Sequence, residues 1–127
     1  MGIHIALSVT DVARSKDFYS KLIGSDPMVE MNDGVSDLVL IALDDGTMIG
    51  LRQHPASDPS DRFSHERVGL DHFAIHLDNR DELEKKQARL EELGTAHSGI
   101  QEGPFGLHLN FRDPDNIALE YFVAAQS

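Results

Sequence analysis

Three side chains in this sequence carry metal-ligand chemistry at positions that an internal repeat sets in order. His4 sits in Ile3-His4-Ile5-Ala6-Leu7, and His72 sits in the near-copy Asp71-His72-Phe73-Ala74-Ile75. Each copy runs into a short polar turn, an amphipathic helix and a glycine, so the duplicated unit is a strand plus a helix and not a chance pentapeptide. Duplication about an internal pseudo-twofold axis predicts that His4 and His72 converge. The third is Glu120. Aligning the turns Asp45-Gly46 and Asp115-Asn116 sets Met48-Ile49-Gly50-Leu51 against Ala118-Leu119-Glu120-Tyr121, so that Glu120 answers Gly50. An acid placed mid-strand among apolar neighbours is costly unless it is paired or bound to a cation. Two imidazoles and one carboxylate on one face of a divalent ion leave its other positions open to water, oxygen or a chelating substrate. Fe2+, Mn2+, Zn2+ and Ni2+ all accept such ligands, and ligand type alone does not choose among them.

The elements that must position these residues follow from periodicity and turn chemistry. Residues 3–9 alternate, with Ile3, Ile5, Leu7 and Val9 on one face and His4, Ala6 and Ser8 on the other, as a half-buried strand does. Thr10 or Asp11 is placed to cap a helix carrying Val12, Phe18, Tyr19, Leu22 and Ile23 as far as Gly24. Strands are predicted at 28–31, 37–43 and 47–53, separated by Asn32-Asp33-Gly34 and Asp44-Asp45-Gly46. The second half repeats the order. A strand is predicted at 70–77, a helix capped by Asn79 with Glu82 in the manner of a capping box runs to Gly94, and strands follow at 96–101, 107–112 and 117–123. Both halves read βαβββ, giving one α+β domain over 1–127, made of a module at 1–53, an aperiodic, proline-containing linker at 54–68 and a module at 69–127.

Composition bounds the function. With 127 residues the chain is one domain in size, and no apolar run approaches a membrane span. Its mean hydropathy of −0.30 is that of a soluble globular protein. A formal charge of −11, from 22 acidic and 11 basic residues, opposes a phosphate backbone, so nucleic acid is not an expected partner. No cysteine is present, which rules out disulfides and thiolate ligands. Met1-Gly2-Ile3-His4 leads straight into a strand pattern with no signal-peptide features, and a cytoplasmic location is expected.

The chain resembles the vicinal oxygen chelate superfamily, which contains glyoxalase I, extradiol dioxygenases, fosfomycin-modifying enzymes and bleomycin-binding proteins. Ile3-His4-Ile5-Ala6-Leu7, Asp17-Phe18-Tyr19, Gly69 through Ile75 and Phe111 through Glu120 carry the resemblance, which covers essentially the whole chain. It implies paired βαβββ modules forming a curved mixed sheet around a cup, with metal ligands from the first and last strand of each module. Carried over by position, His4, His72 and Glu120 match three ligands, and the fourth position is Gly50. That glycine argues against glyoxalase I, which looks like a four-ligand family, and favours the two-histidine, one-glutamate pattern of the dioxygenases and fosfomycin enzymes. The resemblance also implies a homodimer, with ligands from one chain or shared between two.

The expected lining of the cup follows by parity. His108 and Asn110 share a strand face, and Asn110 stands where fosfomycin enzymes and extradiol dioxygenases look like they place a tyrosine. An asparagine there donates a hydrogen bond to substrate but cannot act as an acid, which leaves His108 as the candidate acid or base. Leu38 and Leu40 make the matching face of the first module apolar, and Arg52 is placed to bind a substrate carboxylate at its edge. His76 lies on the His72 face, while His54, His65 and His97 are expected at the surface. The expected function is a metal-dependent enzyme acting on a small molecule with adjacent oxygens, by dioxygenase, lyase or isomerase chemistry. The alternative is a ligand-binding protein of the bleomycin-resistance kind, without catalysis.

Overall fold

The computed structural model describes residues 1–126. It divides into two compact units, Met1–Asp61 and a second that begins at Arg62. The first runs β1 (His4–Ser8), α1 (Val12–Ile23), β2 (Val29–Asn32), β3 (Asp37–Ala42) and β4 (Met48–Gln53). Its sheet has the order β1-β4-β3-β2, with β1 parallel to β4 and the other pairs antiparallel. Asp11 proves to be the cap of α1: its backbone is extended and its carboxylate accepts the Arg14 N–H at 3.1 Å. Gly24 ends the helix in the left-handed region at φ 79°, donating its N–H to the Ser20 carbonyl. The helix packs on β3 and β4 and buries Tyr19 and Leu22 on the side where Val39, Ile41, Ile49 and Leu51 are buried. Each such side chain gains roughly 1.5–3 kcal/mol from leaving water.

The second unit repeats this plan with β5 (Phe73–His76), α2 (Arg80–Glu92), β6 (Gln101–Gly103), β7 (Gly106–Arg112) and β8 (Ala118–Ala124) in the order β5-β8-β7-β6. Again the first strand is parallel to the last. The α+β reading with two βαβββ modules therefore holds. Asn79 caps α2 through the Glu82 N–H, and the Glu82 carboxylate returns to the N–H of Asp78, one residue earlier than a capping box places it. Among the described residues no helix is long and apolar enough to cross a membrane.

Two expectations shift. The strand predicted at 96–101 is reduced to a single bridge, His97 to Phe111, before β6 starts at Gln101. Gly99 turns left-handed at φ 73°, and Ser98 accepts the Asn110 N–H on its hydroxyl in place of a backbone carbonyl, so the ladder is interrupted there. Strand β5 begins at Phe73, which leaves His72 just ahead of it. In addition, Phe63 donates its N–H to the Asp115 carbonyl and accepts from Asn116 Nδ2, so the later part of the stretch read as a linker is tied to the β7–β8 turn.

Register makes the duplication concrete. In the first unit Ala6 pairs with Gly50 and Gly50 with Leu40; in the second Ala74 pairs with Glu120 and Glu120 with Asn110. The correspondence of Glu120 with Gly50 inferred from the turns is the one the strands adopt.

Candidate functional site

Alternation along β8 decides which way Glu120 faces. Leu119, Tyr121 and Val123 are buried, so Ala118, Glu120 and Phe122 point to the opposite, open face of the sheet. Only 16% of the Glu120 side chain is exposed, and no lysine or arginine among the described residues pairs with it. One oxygen, Oε2, accepts a hydrogen bond from Asn110 Nδ2 on β7 at 3.0 Å. At the other end of that amide, Oδ1 lies 2.6 Å from His108 Nδ1.

His72 approaches the same carboxylate from the start of β5, with Nε2 at 4.0 Å from Glu120 Oε2. That separation is too long for a hydrogen bond. The far side of the ring is anchored, because Nδ1 lies 2.6 Å from Asp71 Oδ1. A carboxylate only accepts, so this contact holds a proton on Nδ1, and a neutral ring then keeps its lone pair on Nε2. The same bond, foremost among the causes, holds the Asp71 carboxyl below the usual carboxylate range. A carboxylate behind an imidazole is the arrangement that fixes a metal-ligating histidine. Asp71 appears in the repeated pentapeptide without a role of its own, although its place beside a candidate ligand was the available signal.

In chemical type, a bare imidazole nitrogen and a carboxylate oxygen, held facing each other without a bond, fit a divalent first-row cation. His4 stands at the exposed end of β1 opposite Met48. Among the described residues, no group of three or more histidine and carboxylate side chains is gathered closely enough to hold a metal. Within the second unit the structure thus brings together His72, Glu120, Asn110 and His108.

The first unit's corresponding row is apolar. A Cβ at Gly50 would lie 3.3 Å from Leu40 Cδ2 and 3.4 Å from Ala6 Cβ, so Leu40 stands against the place where a fourth ligand would begin. Arg52 is tied within its own unit: Nη1 donates to Asp33 Oδ2 and to Ser36 Oγ, each at 2.8 Å. That bond, with the N–H groups of Ser36 and Val35, holds the Asp33 carboxyl well below the usual carboxylate range. His76 shares the open face of its sheet and rests against the Phe122 ring at 5.0 Å. Of the histidines expected at the surface, His65 is exposed, but His97 is half-buried, accepting the Gly99 N–H on Nδ1 with Nε2 at 3.2 Å from Glu91.

Residues 3–121 match the model of the Glyoxalase/Bleomycin resistance protein/Dioxygenase superfamily. A solved glyoxylase/bleomycin resistance protein/dioxygenase domain from Frankia sp. EAN1pec is 32% identical, with a TM-score of 0.91 over 100% of this chain and 94% of that one. The fosfomycin resistance protein FosX from Listeria monocytogenes has the same fold at 18% identity, with a TM-score of 0.74 over 97% of this chain and 90% of its own. TnmS3, an antibiotic binding protein from Streptomyces sp. CB03234, is 24% identical, with a TM-score of 0.75 over 98% of this chain and 96% of its own. No curated protein matches the sequence. Duplicated modules, strand register and family match agree: the chain belongs to the glyoxalase/bleomycin resistance protein/dioxygenase superfamily.

Proposed function

We propose that this protein is a metal-dependent enzyme that binds a divalent cation through His72 and Glu120, with His4 as third ligand, and acts on a small molecule bearing adjacent oxygens. The observation that carries the reading is the bare His72 Nε2, set by Asp71, facing the largely withdrawn Glu120 carboxylate at 4.0 Å. When bound, such an ion polarises the two substrate oxygens and stabilises negative charge that develops on them. The chain's own residues hold and orient the donors, and His108 is the candidate to move a proton. FosX, which shares the fold, has been crystallised with Mn(II) and sulfate, and that supports a divalent ion in general. The third ligand comes from the same chain or from a second copy in a homodimer.

The test is metal content of protein purified without chelator, for the wild type and for His4→Ala, His72→Ala and Glu120→Gln. Near-stoichiometric metal in the wild type and its loss in His72→Ala and Glu120→Gln is the expected result. Substoichiometric metal in the wild type, or metal indifferent to those two changes, overturns the site; full retention in His4→Ala removes only the third ligand. A solution mass of one chain with full metal content rejects a shared site. Oxygen uptake with a catechol panel then separates dioxygenase from lyase or isomerase chemistry.

A second reading rests on the apolar row Ala6-Gly50-Leu40 and the charge of −11. It is a binder of an apolar, cationic ligand without chemistry, as TnmS3 is an antibiotic binding protein. Metal-independent binding of such a ligand, together with a metal-free wild type, decides for it.

A further inference from the structure

We propose that Asn110 is a positioning residue that joins His108 to Glu120, fixing His108 in the tautomer whose Nε2 is free to take a proton. The inference deepens the proposed metal-dependent reading, but it concerns hydrogen bonds present in the chain without any ion. Its basis is direction. Glu120 as a carboxylate accepts only, so the Asn110 atom 3.0 Å from it must be the donor Nδ2. The amide oxygen is thereby turned to His108 Nδ1 at 2.6 Å. An oxygen there requires a proton on Nδ1, and a neutral ring then has Nε2 bare.

Several features hold this arrangement. The Asn110 backbone is clamped on its other side, donating its N–H to Ser98 Oγ at 3.0 Å and accepting the Ser98 N–H at 2.9 Å. Beside the free edge of His108 stands Gly103, where even a Cβ would come within 3.5 Å of Nε2 and Cδ2. The first unit supplies an internal contrast, because the position matching Glu120 is Gly50 and the residue opposite it is Leu40, which can donate nothing. The donor appears only in the row that has a carboxylate to hold. Asn110 Nδ2 engages only Oε2 of Glu120, so one carboxylate oxygen is oriented while Oε1 has no hydrogen-bond partner among the described residues.

The experiment reads the imidazole nitrogens of the metal-free protein by long-range 1H–15N correlation at pH 8, where an ordinary imidazole is neutral. His108 is assigned from the signals lost in His108→Gln. The expected wild-type pattern is a protonated Nδ1 and a pyridine-type Nε2. Asn110→Leu, which copies Leu40, is expected to shift His108 towards the Nε2–H form. Asn110→Asp, which keeps an acceptor for His108 and loses the donor to Glu120, is expected to retain Nδ1–H. An Nε2–H wild type, an unchanged pattern in folded Asn110→Leu, or loss of the Nδ1–H form in Asn110→Asp each overturns the proposal. A parallel Mn2+ titration of the wild type keeps the two ideas apart. Absence of Mn2+ binding with the tautomer pattern intact rejects the metal reading and leaves the positioning role standing.

Discussion

At the scale of single residues, the second unit gathers its chemistry by hydrogen-bond direction more than by proximity. Asp71 and Asn110 each present an acceptor to the Nδ1 of a histidine, and both histidines are left with Nε2 bare. Removing the acceptor behind a metal-ligating imidazole typically costs 10- to 100-fold in metal affinity. Asp71→Ala is therefore expected to weaken Mn2+ binding by about 10-fold in calorimetric titration, and unchanged affinity would count against His72 as a ligand. The Asp33–Arg52 pair, within the first unit, is read through stability instead. Because the folded-state acidity of Asp33 is stronger than that of a free carboxyl near about 3.9, its stabilising contribution is present above that pH and is lost as pH falls towards the folded value. Asp33→Asn should thus lower the denaturant midpoint at pH 7 and flatten its decline between about pH 4 and pH 2. A variant that loses stability on acidification as steeply as the wild type would exclude this pair as a contributor.

At the scale of elements, caps and turns set the boundaries, and two substitutions test them. Asp11 holds the Arg14 N–H, one of the free donors of the first turn of α1, so Asp11→Ala is expected to cost about 1 kcal/mol in chemical denaturation. Gly106 is a stricter case. It opens β7 at φ 144°, and a Cβ there would fall 2.0 Å from the Val123 carbonyl oxygen and 2.7 Å from the Ala125 nitrogen, both backbone atoms. Gly106→Ala should exceed about 3 kcal/mol of destabilisation, beyond the common range for point changes. These elements were legible in the sequence because their signals are local: period-two alternation in β1 and β8, Asp11 and Asn79 before helical spacing, Gly24 after it. The segment 96–101 was read as a strand even though Ser98-Gly99 is a turn signal; the left-handed Gly99 and the Ser98 hydroxyl that takes the Asn110 N–H break the ladder there. At the site, spacing alone aligned Glu120 with Gly50. The partnership of Asp71 with His72 and the engagement of both ends of Asn110 depend on rotamers, which no spacing encodes.

For the molecule as a whole, the repeated order β1-β4-β3-β2 and β5-β8-β7-β6 gives two equivalent rows with unequal chemistry, one apolar and one holding Glu120. The net charge of −11 complicates any measurement of a cation at the second row, because an acidic surface attracts divalent ions diffusely. Diffuse attraction is screened over about 8 Å at 0.15 M salt, whereas coordination to side chains is much less affected. Thermal melts at that ionic strength therefore separate the two effects. A ligand that binds only the folded chain adds about 2.7 kcal/mol at a hundred times its dissociation constant. For a chain of this size that corresponds to a rise of about 10 °C in Tm. The wild type is expected to show this rise with Mn2+, and Glu120→Gln, which keeps the shape of the side chain and removes its charge, is expected to show almost none. If both melt alike at 0.15 M salt, the ion is held by the acidic surface, and Glu120 is a strand carboxylate satisfied by Asn110 alone.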